Sequence, residues 1–198
     1  FKKFTQFYNS LEINLFETSK KLEKVQKSKL REKNEKVKWI NNIDEINKGP
    51  VIFFGNEFFD SLAIKQFYKK KSLFFEKYVT FVKNKNHLKF TLKRANKHQI
   101  KKLSELGLVC EGNTIEYPIY TIKYLNKIAK KINLLNGCIL TFDYGYTAKI
   151  NQNTLQSVRN HKYANPLENI GSTDISSHVN FKLVAEILEN NHLNVKKI

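Results

Sequence analysis

The run Val51-Ile52-Phe53-Phe54 constrains this chain more than any other stretch. It is bracketed by Gly49-Pro50 before and Gly55 after, so it is too short for a helix, and no polar residue interrupts it. Such a run suits a central strand of a parallel sheet, buried on both faces. Parallel strands cannot be joined by a tight turn, so crossover segments must lie nearby. The preceding residues supply them. Leu11 to Phe16 alternates apolar and polar residues as a strand does, and ends at Glu17. Thr18-Ser19 can cap a helix carrying Leu22, Val25 and Leu30 at helical spacing, and Val37 to Ile40 reads as a second strand before a turn or short helix around Asp44. Strand, helix, strand, strand at these intervals predicts an α/β fold built on a parallel sheet.

Between Ile64 and Arg94 the pattern changes. Ser72–Val82 and His87–Leu92 are β-rich and joined by Lys/Asn turns, which predicts antiparallel strands inserted in or capping the sheet. Asn96 can cap a helix with Ile100, Leu103 and Leu106 inward and Gly107 as its stop. A longer helix is expected from about Pro118 to Ile132, with Ile122, Leu125, Ile128, Ala129 and Ile132 on its inner face. Asn136-Gly137 then turns into a strand, Cys138–Phe142, and a last helix from about Asn180 packs Val184, Ala185 and Leu188. We read residues 1–198 as one partial domain: 11–60 the second half of a cofactor-binding unit, 61–136 an insertion, 137–198 the C-terminal sheet and helix.

Composition narrows the function classes. A hydrophobic fraction of 41% supports a packed core and excludes an intrinsically disordered chain. No apolar run approaches the ~20 residues of a membrane-spanning helix. The formal charge of +17 raises the question of nucleic acid, but lysine is spread through nearly every polar segment rather than gathered on one face. The densest run, Lys69-Lys70-Lys71, reads as a solvated turn. Cys110 and Cys138 stand outside any C-x-x-C spacing and read as reduced core thiols. The five histidines lack ligand spacing, so no metal site is expected. The chain has no methionine and no signal core at its start, so we expect both ends to be those of a piece of a longer chain.

Open parallel sheets bind ligands where their strands end. Glu17 ends the first strand, Asn56-Glu57-Phe58-Phe59-Asp60 follows the Val51 strand, and Asp143-Tyr144-Gly145 follows the Cys138 strand. A carboxylate at a strand end can accept hydrogen bonds from both ribose hydroxyls, although many strands end in Glu simply on meeting solvent. If the Asn56–Asp60 segment turned helical, Glu57 and Asp60 would share one face, with a capped helix start as the plain alternative. His161, Asp174 and His178 form a candidate catalytic group; separate surface or cap residues fit the spacing equally well.

Taken together, these segments resemble the MidA-like family of class I S-adenosylmethionine-dependent methyltransferases, associated with respiratory complex I assembly and including bacterial relatives. The matching stretches are Glu17-Thr18-Ser19 with Leu22, Gln26 and Leu30, then Gly55 through Leu62, Asp143-Tyr144-Gly145, Thr154-Leu155, His161, Pro166-Leu167, and Gly171 through Asp174, His178 and Val179 to Phe181. The resemblance implies a partial Rossmann-like sheet with an inserted β-rich and helical region, and S-adenosylmethionine as cofactor. It implies that Glu17 takes the ribose hydroxyls, that Asn56 and Glu57 face the methionine end or substrate, and that Glu57 and Asp60 grip a protein arginine. Asn56, Glu57, Asp60 and His161 are the catalytic candidates. The family's glycine-rich cofactor loop has no counterpart in these residues, so this stretch alone is expected to bind S-adenosylmethionine poorly.

Three readings follow. The first is a methyltransferase fragment acting on a protein, a respiratory complex I subunit among the candidates. The second is a catalytically inactive remnant or assembly factor, and the third a basic nucleic-acid-binding domain. The expected location is the cytoplasm of a bacterium, or the mitochondrial matrix of a eukaryote.

Overall fold

The computed structural model describes residues 4–30, 36–109, 114–148 and 153–196. The sequence reading of Cys110 falls outside them. The chain divides into two units, residues 1–51 with 131–137, and 52–130 with 138–198.

In the first unit, a short helix α1 (Thr5–Ser10) precedes β1 (Ile13–Phe16), α2 (Lys20–Lys29) and β2 (Val37–Ile40). The two strands pair in parallel from Ile13 opposite Val37 to Phe16 opposite Ile40. Ser19 caps α2 as expected, its Oγ accepting the Leu22 N–H at 3.3 Å. Two apolar positions of α2 are open: Leu22 is 52% and Val25 44% exposed. Helical spacing identifies a face, but burial needs a partner element, and among the described residues none covers Leu22 or Val25. The 3-10 turn Ile43–Glu45 follows, with Asn42 and Glu45 in a capping box. Ile40, Ile43, Val51 and Ile132 are buried, and Lys131 donates to the carbonyls of Asp44 (2.9 Å) and Ile46 (2.5 Å).

The second unit carries most of β3 (Val51–Asn56), followed by β4 (Lys65–Lys70), β5 (Leu73–Val82), β6 (His87–Arg94), α3 (Lys97–Glu105), β7 (Thr114–Tyr117) and most of α4 (Ile119–Leu135). The inserted strands form an antiparallel sheet in the order β6-β5-β4-β7. Phe67, Ala95, Leu103 and Ile115 make its core. Asn96 and Gln99 form the cap of α3, and Gly107 ends it with φ +61°. The inner face of α4 is as expected, with Leu125 and Ala129 fully buried.

The next strand, β8 (Gly137–Phe142), lies beside β3. The Val51 N–H donates to Asn136 O and the Glu57 N–H to Phe142 O, each at 2.8 Å, so both strands run the same way. The double burial expected of β3 is corrected: Ile52 is 68% and Phe54 69% exposed. On β8, Leu140 and Phe142 are likewise exposed, and Cys138 is exposed too, not a core thiol. Strand alternation puts all five on one face, which is open. Five short strands then appear that periodicity did not reveal: β9 (Gly145–Tyr146), β10 (Gln156–Arg159), β11 (Lys162–Tyr163), β12 (Asp174–Ser176) and β13 (Val179–Asn180), with β10 between β11 and β12 and β9 beside β13. The last helix is α5 (Phe181–Asn190), capped by Asn180. No helix among the described residues is long and apolar enough to cross a membrane.

Candidate functional site

The Glu17 carboxylate in the first unit is built from its own neighbourhood. It follows the last residue of β1 and lies just before the α2 cap. One of its oxygens accepts the Ser19 N–H at 2.8 Å, and the other accepts Gln26 Nε2 at 3.1 Å. The Gln26 amide oxygen in turn accepts Trp39 Nε1 from β2 at 2.9 Å. A tryptophan indole can only donate, so this chain of bonds sets which end of the Gln26 amide faces Glu17. Each Glu17 oxygen keeps further lone-pair capacity, which is what two ribose hydroxyls require. The residues present therefore fit the role that the resemblance gives them. Trp39, the one tryptophan of the sequence, carried no signal in the chain alone.

In the second unit, three sequence motifs are tied together around Asp143. Its carboxylate accepts the backbone N–H groups of Phe59 (3.4 Å) and Asp60 (3.2 Å) and the Thr141 hydroxyl (3.0 Å). The carboxylate at the end of β8 thus folds the loop that follows β3. The Ser177 N–H donates to Asp60 O at 3.0 Å, and the Val179 N–H to Tyr144 O at 2.8 Å. β9 and β13 pair in parallel at this point, with Gly145 opposite Val179. A Cβ on Gly145 would come within 2.7 Å of the Phe181 ring, so the close approach requires glycine.

The Asn56–Asp60 segment is not the helical turn considered above. Glu57 has φ +49°, a left-handed conformation that costs a residue with a Cβ roughly 1 kcal/mol and that gathers at functional sites. The two phenylalanines between acids also find their reason: Phe59 is 2% exposed, and Phe58 packs on Phe59 at 5.1 Å and on Tyr124 of α4 at 5.8 Å between ring centroids. They anchor the loop while Asn56 and Glu57 stay exposed.

Asp60 is the electrostatic centre of this cluster. Burial first, then the charge of Asp143, and further the charge of Glu57, push its carboxyl up to about 6. Its Oδ1 is buried with no hydrogen-bond partner among the described residues. Thr154, 7% exposed, belongs to a neighbouring network: Glu116 accepts its N–H (2.9 Å) and hydroxyl (2.6 Å), and Thr154 Oγ1 accepts the His178 N–H (3.0 Å).

The structure brings Asn56, Glu57 and Asp60 into one segment beside Asp143, with the His178 backbone fixed nearby in the chain by Thr154. His161 lies elsewhere in this unit, exposed in the β10–β11 hairpin turn, where Asn160 and His161 both have positive φ. Asp174 is exposed on β12, paired with Val158. No hydrogen bond among the described residues joins His161, Asp174 and His178.

Parallel strand pairs that end in acidic motifs place the fold in the α/β class, and comparison with known proteins gives the family. The chain belongs, over residues 1–198, to a family of S-adenosyl-L-methionine-dependent methyltransferases, the MidA-like enzymes. It is 29% identical over 153 residues to a mitochondrial protein arginine methyltransferase NDUFAF7 homolog of Caenorhabditis elegans, covering 76% of this chain and 36% of that protein. The corresponding Drosophila melanogaster protein is 24% identical over 154 residues, covering 76% and 35%. In structure, the chain is similar to a Burkholderia thailandensis protein solved with S-adenosyl-homocysteine bound, at TM-score 0.75 and 20% identity, over 96% of this chain and 51% of that one. The chain thus spans about a third of the curated relatives' length and half of the solved protein's.

Proposed function

We propose that this chain is the part of a protein arginine methyltransferase that holds the substrate arginine and contributes to the binding of S-adenosylmethionine. The observation that carries this reading is Asp60: a carboxyl held in a desolvated loop beside two other carboxylates, with one buried oxygen unsatisfied. Such a group is stabilised by a cation. A guanidinium fits, because it stays protonated at every relevant pH and pairs with carboxylates through a planar fork of donors. Glu57 and Asp60 orient that group, and their charge raises the electron density of the nitrogen they face. The ionised Asp60 carboxylate can also receive the proton that the nitrogen sheds on methylation.

Glu17 holds the ribose hydroxyls of the cofactor, in a plane set by Ser19, Gln26 and Trp39. When bound, S-adenosylmethionine supplies a sulfonium methyl group as the electrophile, and the work of the protein is then mostly positional. The names of the worm and fly relatives support arginine as the target and a mitochondrial location in eukaryotes. A complex I subunit as the substrate rests on the family resemblance.

The test is a thermal-shift titration with S-adenosylhomocysteine on the native protein and Glu17→Ala. A ligand that binds only the folded state must raise the melting temperature. We expect a small shift, reached only at high ligand concentration, that Glu17→Ala removes. Equal shifts in both would take the ribose role from Glu17, and a flat response in both would favour the non-catalytic reading.

A further inference from the structure

The inserted sheet contributes one wall of a cavity that the sequence motifs do not mention. In the β5–β6 pairing Val79 stands opposite Phe90 and Lys77 opposite Leu92, so strand alternation puts these four on one face. Val79, Phe90 and Leu92 are exposed there. Facing them are Leu155 and Ile175, and the space between has a volume of about 350 Å³ with Asp60 on its wall. This is the scale of a pocket for one or two side chains, its apolar wall shared with Asp60, Ser61, Gln66, Lys77, Ser176 and Ser177.

Those polar groups are specific. Gln66, 5% exposed, donates its amide N–H groups to Glu116 (2.8 Å) and Asn153 (2.5 Å), and its carbonyl accepts from Lys77 Nζ (3.0 Å). The Lys77 ammonium lies 4.0 Å from the Phe90 ring centroid. Its hydrogen bond goes to a neutral amide, and the carboxylate whose field it feels is Glu116, not Asp60. Burial lowers its pKa, as expected for a cation without a carboxylate in contact. The cavity therefore carries an acid and a base that do not neutralise each other, with apolar surface between them. The surrounding hairpin, residues 73–94, adds Lys83, Lys85, Lys89, Lys93 and Arg94 against the single acid Glu76.

We propose that this cavity is the substrate side-chain pocket: Asp60 pairs with the guanidinium of a polypeptide arginine, Val79, Phe90 and Ile175 cover its aliphatic stem, and Lys77 pairs with an acidic residue next to that arginine. The preferred substrate is then an arginine flanked by Asp or Glu. The proposal rests on the arginine reading above and adds the sequence context that the pocket selects. Lys77 is its specificity-determining residue.

The test uses three labelled peptides that differ only in the residue before arginine (Glu, Gln or Lys), measured by fluorescence anisotropy. The proteins are the native chain, Lys77→Gln, Lys77→Glu and Asp60→Asn, each checked for an unchanged circular-dichroism spectrum. The native protein should bind the Glu-Arg peptide about fivefold tighter than the Gln-Arg peptide. That preference should vanish in Lys77→Gln and turn toward Lys-Arg in Lys77→Glu, while Asp60→Asn weakens all three by roughly tenfold or more. A preference that persists in Lys77→Gln would overturn the role of Lys77. Binding untouched by Asp60→Asn would overturn the pocket, and so would a single-stranded RNA oligonucleotide that outcompetes the peptides through Lys77. If the S-adenosylhomocysteine response holds and no arginine peptide binds, the pocket falls while the cofactor reading stands. If the peptides bind as expected and the cofactor response is flat, the pocket stands and methyl transfer falls.

Discussion

Glu17 and Asp60 are both carboxylates just past the end of a parallel strand, and their surroundings treat them in opposite ways. Glu17 is met at once by donors from its own unit: a backbone N–H of the following helix cap on one oxygen, and Gln26 on the other. Asp60 is placed among acids, with its Oδ1 left unsatisfied and its carboxyl pushed up to about 6. The first arrangement presets an acceptor whose orientation survives without ligand. The second stores an electrostatic deficit that a cation relieves. One fold thus holds the same functional group as a fixed hydrogen-bond platform in one unit and as a crowded, unsatisfied carboxyl in the other.

The largest effect is expected from Asp143→Ala, which deprives the Phe59 and Asp60 N–H groups and the Thr141 hydroxyl of their acceptor. Chemical denaturation should show a loss of about 2–3 kcal/mol. A loss below ~0.5 kcal/mol would mean that the loop after β3 holds itself, and that the contrast with Glu17 is not one of construction.

Asp60→Asn sharpens the contrast through pH. Asp60 titrates near 6 when folded and near 3.8 when unfolded, so between these values the folded protein holds more protons and its stability falls as pH rises. The Asn variant should lose that decline, and above pH 6 it should melt higher than the native protein. Arginine-peptide binding by the native protein should conversely strengthen as pH rises through 6, since the ionised carboxyl is the one that pairs. Identical stability profiles in the two proteins would remove the raised pKa.

Glu57→Gly should relieve the left-handed backbone at φ +49° and stabilise the fold by roughly 0.5–1 kcal/mol while lowering methyl transfer. A destabilised variant would show that the Glu57 side chain holds the loop instead of serving a ligand. The smallest effect is expected from Trp39→Phe, which removes the donor that orients Gln26. Stability should change by about 0.5–1 kcal/mol, and the S-adenosylhomocysteine thermal shift should shrink without vanishing. An unaltered shift would mean that Glu17 does not depend on the Trp39–Gln26 chain.

Much of this was legible in the chain. The α4 and α5 faces followed from apolar spacing, and Leu125, Ala129, Val184 and Leu188 occupy the interior as read, with Ala185 half-buried. Ser19, Asn96 and Asn180 cap the helices they precede, because a short polar side chain before an apolar-periodic run acts within three residues. Asn56, Glu57 and Asp60 stood out because two phenylalanines between acids have no place in a solvated loop. What failed was burial wherever it depends on something distant: Ile52, Phe54 and Cys138 have the right pattern, and pattern names a face without saying what covers it.

The sequence by itself determined the parallel-sheet class, the helix caps and the residues that gather at the strand ends, since all of these follow from interactions a few residues long. Only the tertiary structure decided that Asp143 holds the Asn56–Asp60 loop from 83 positions away, that Lys77 and Asp60 share a cavity, and that Trp39 orients Gln26. Those roles depend on directional bonds and local dielectric, which exist only once distant segments have been brought together.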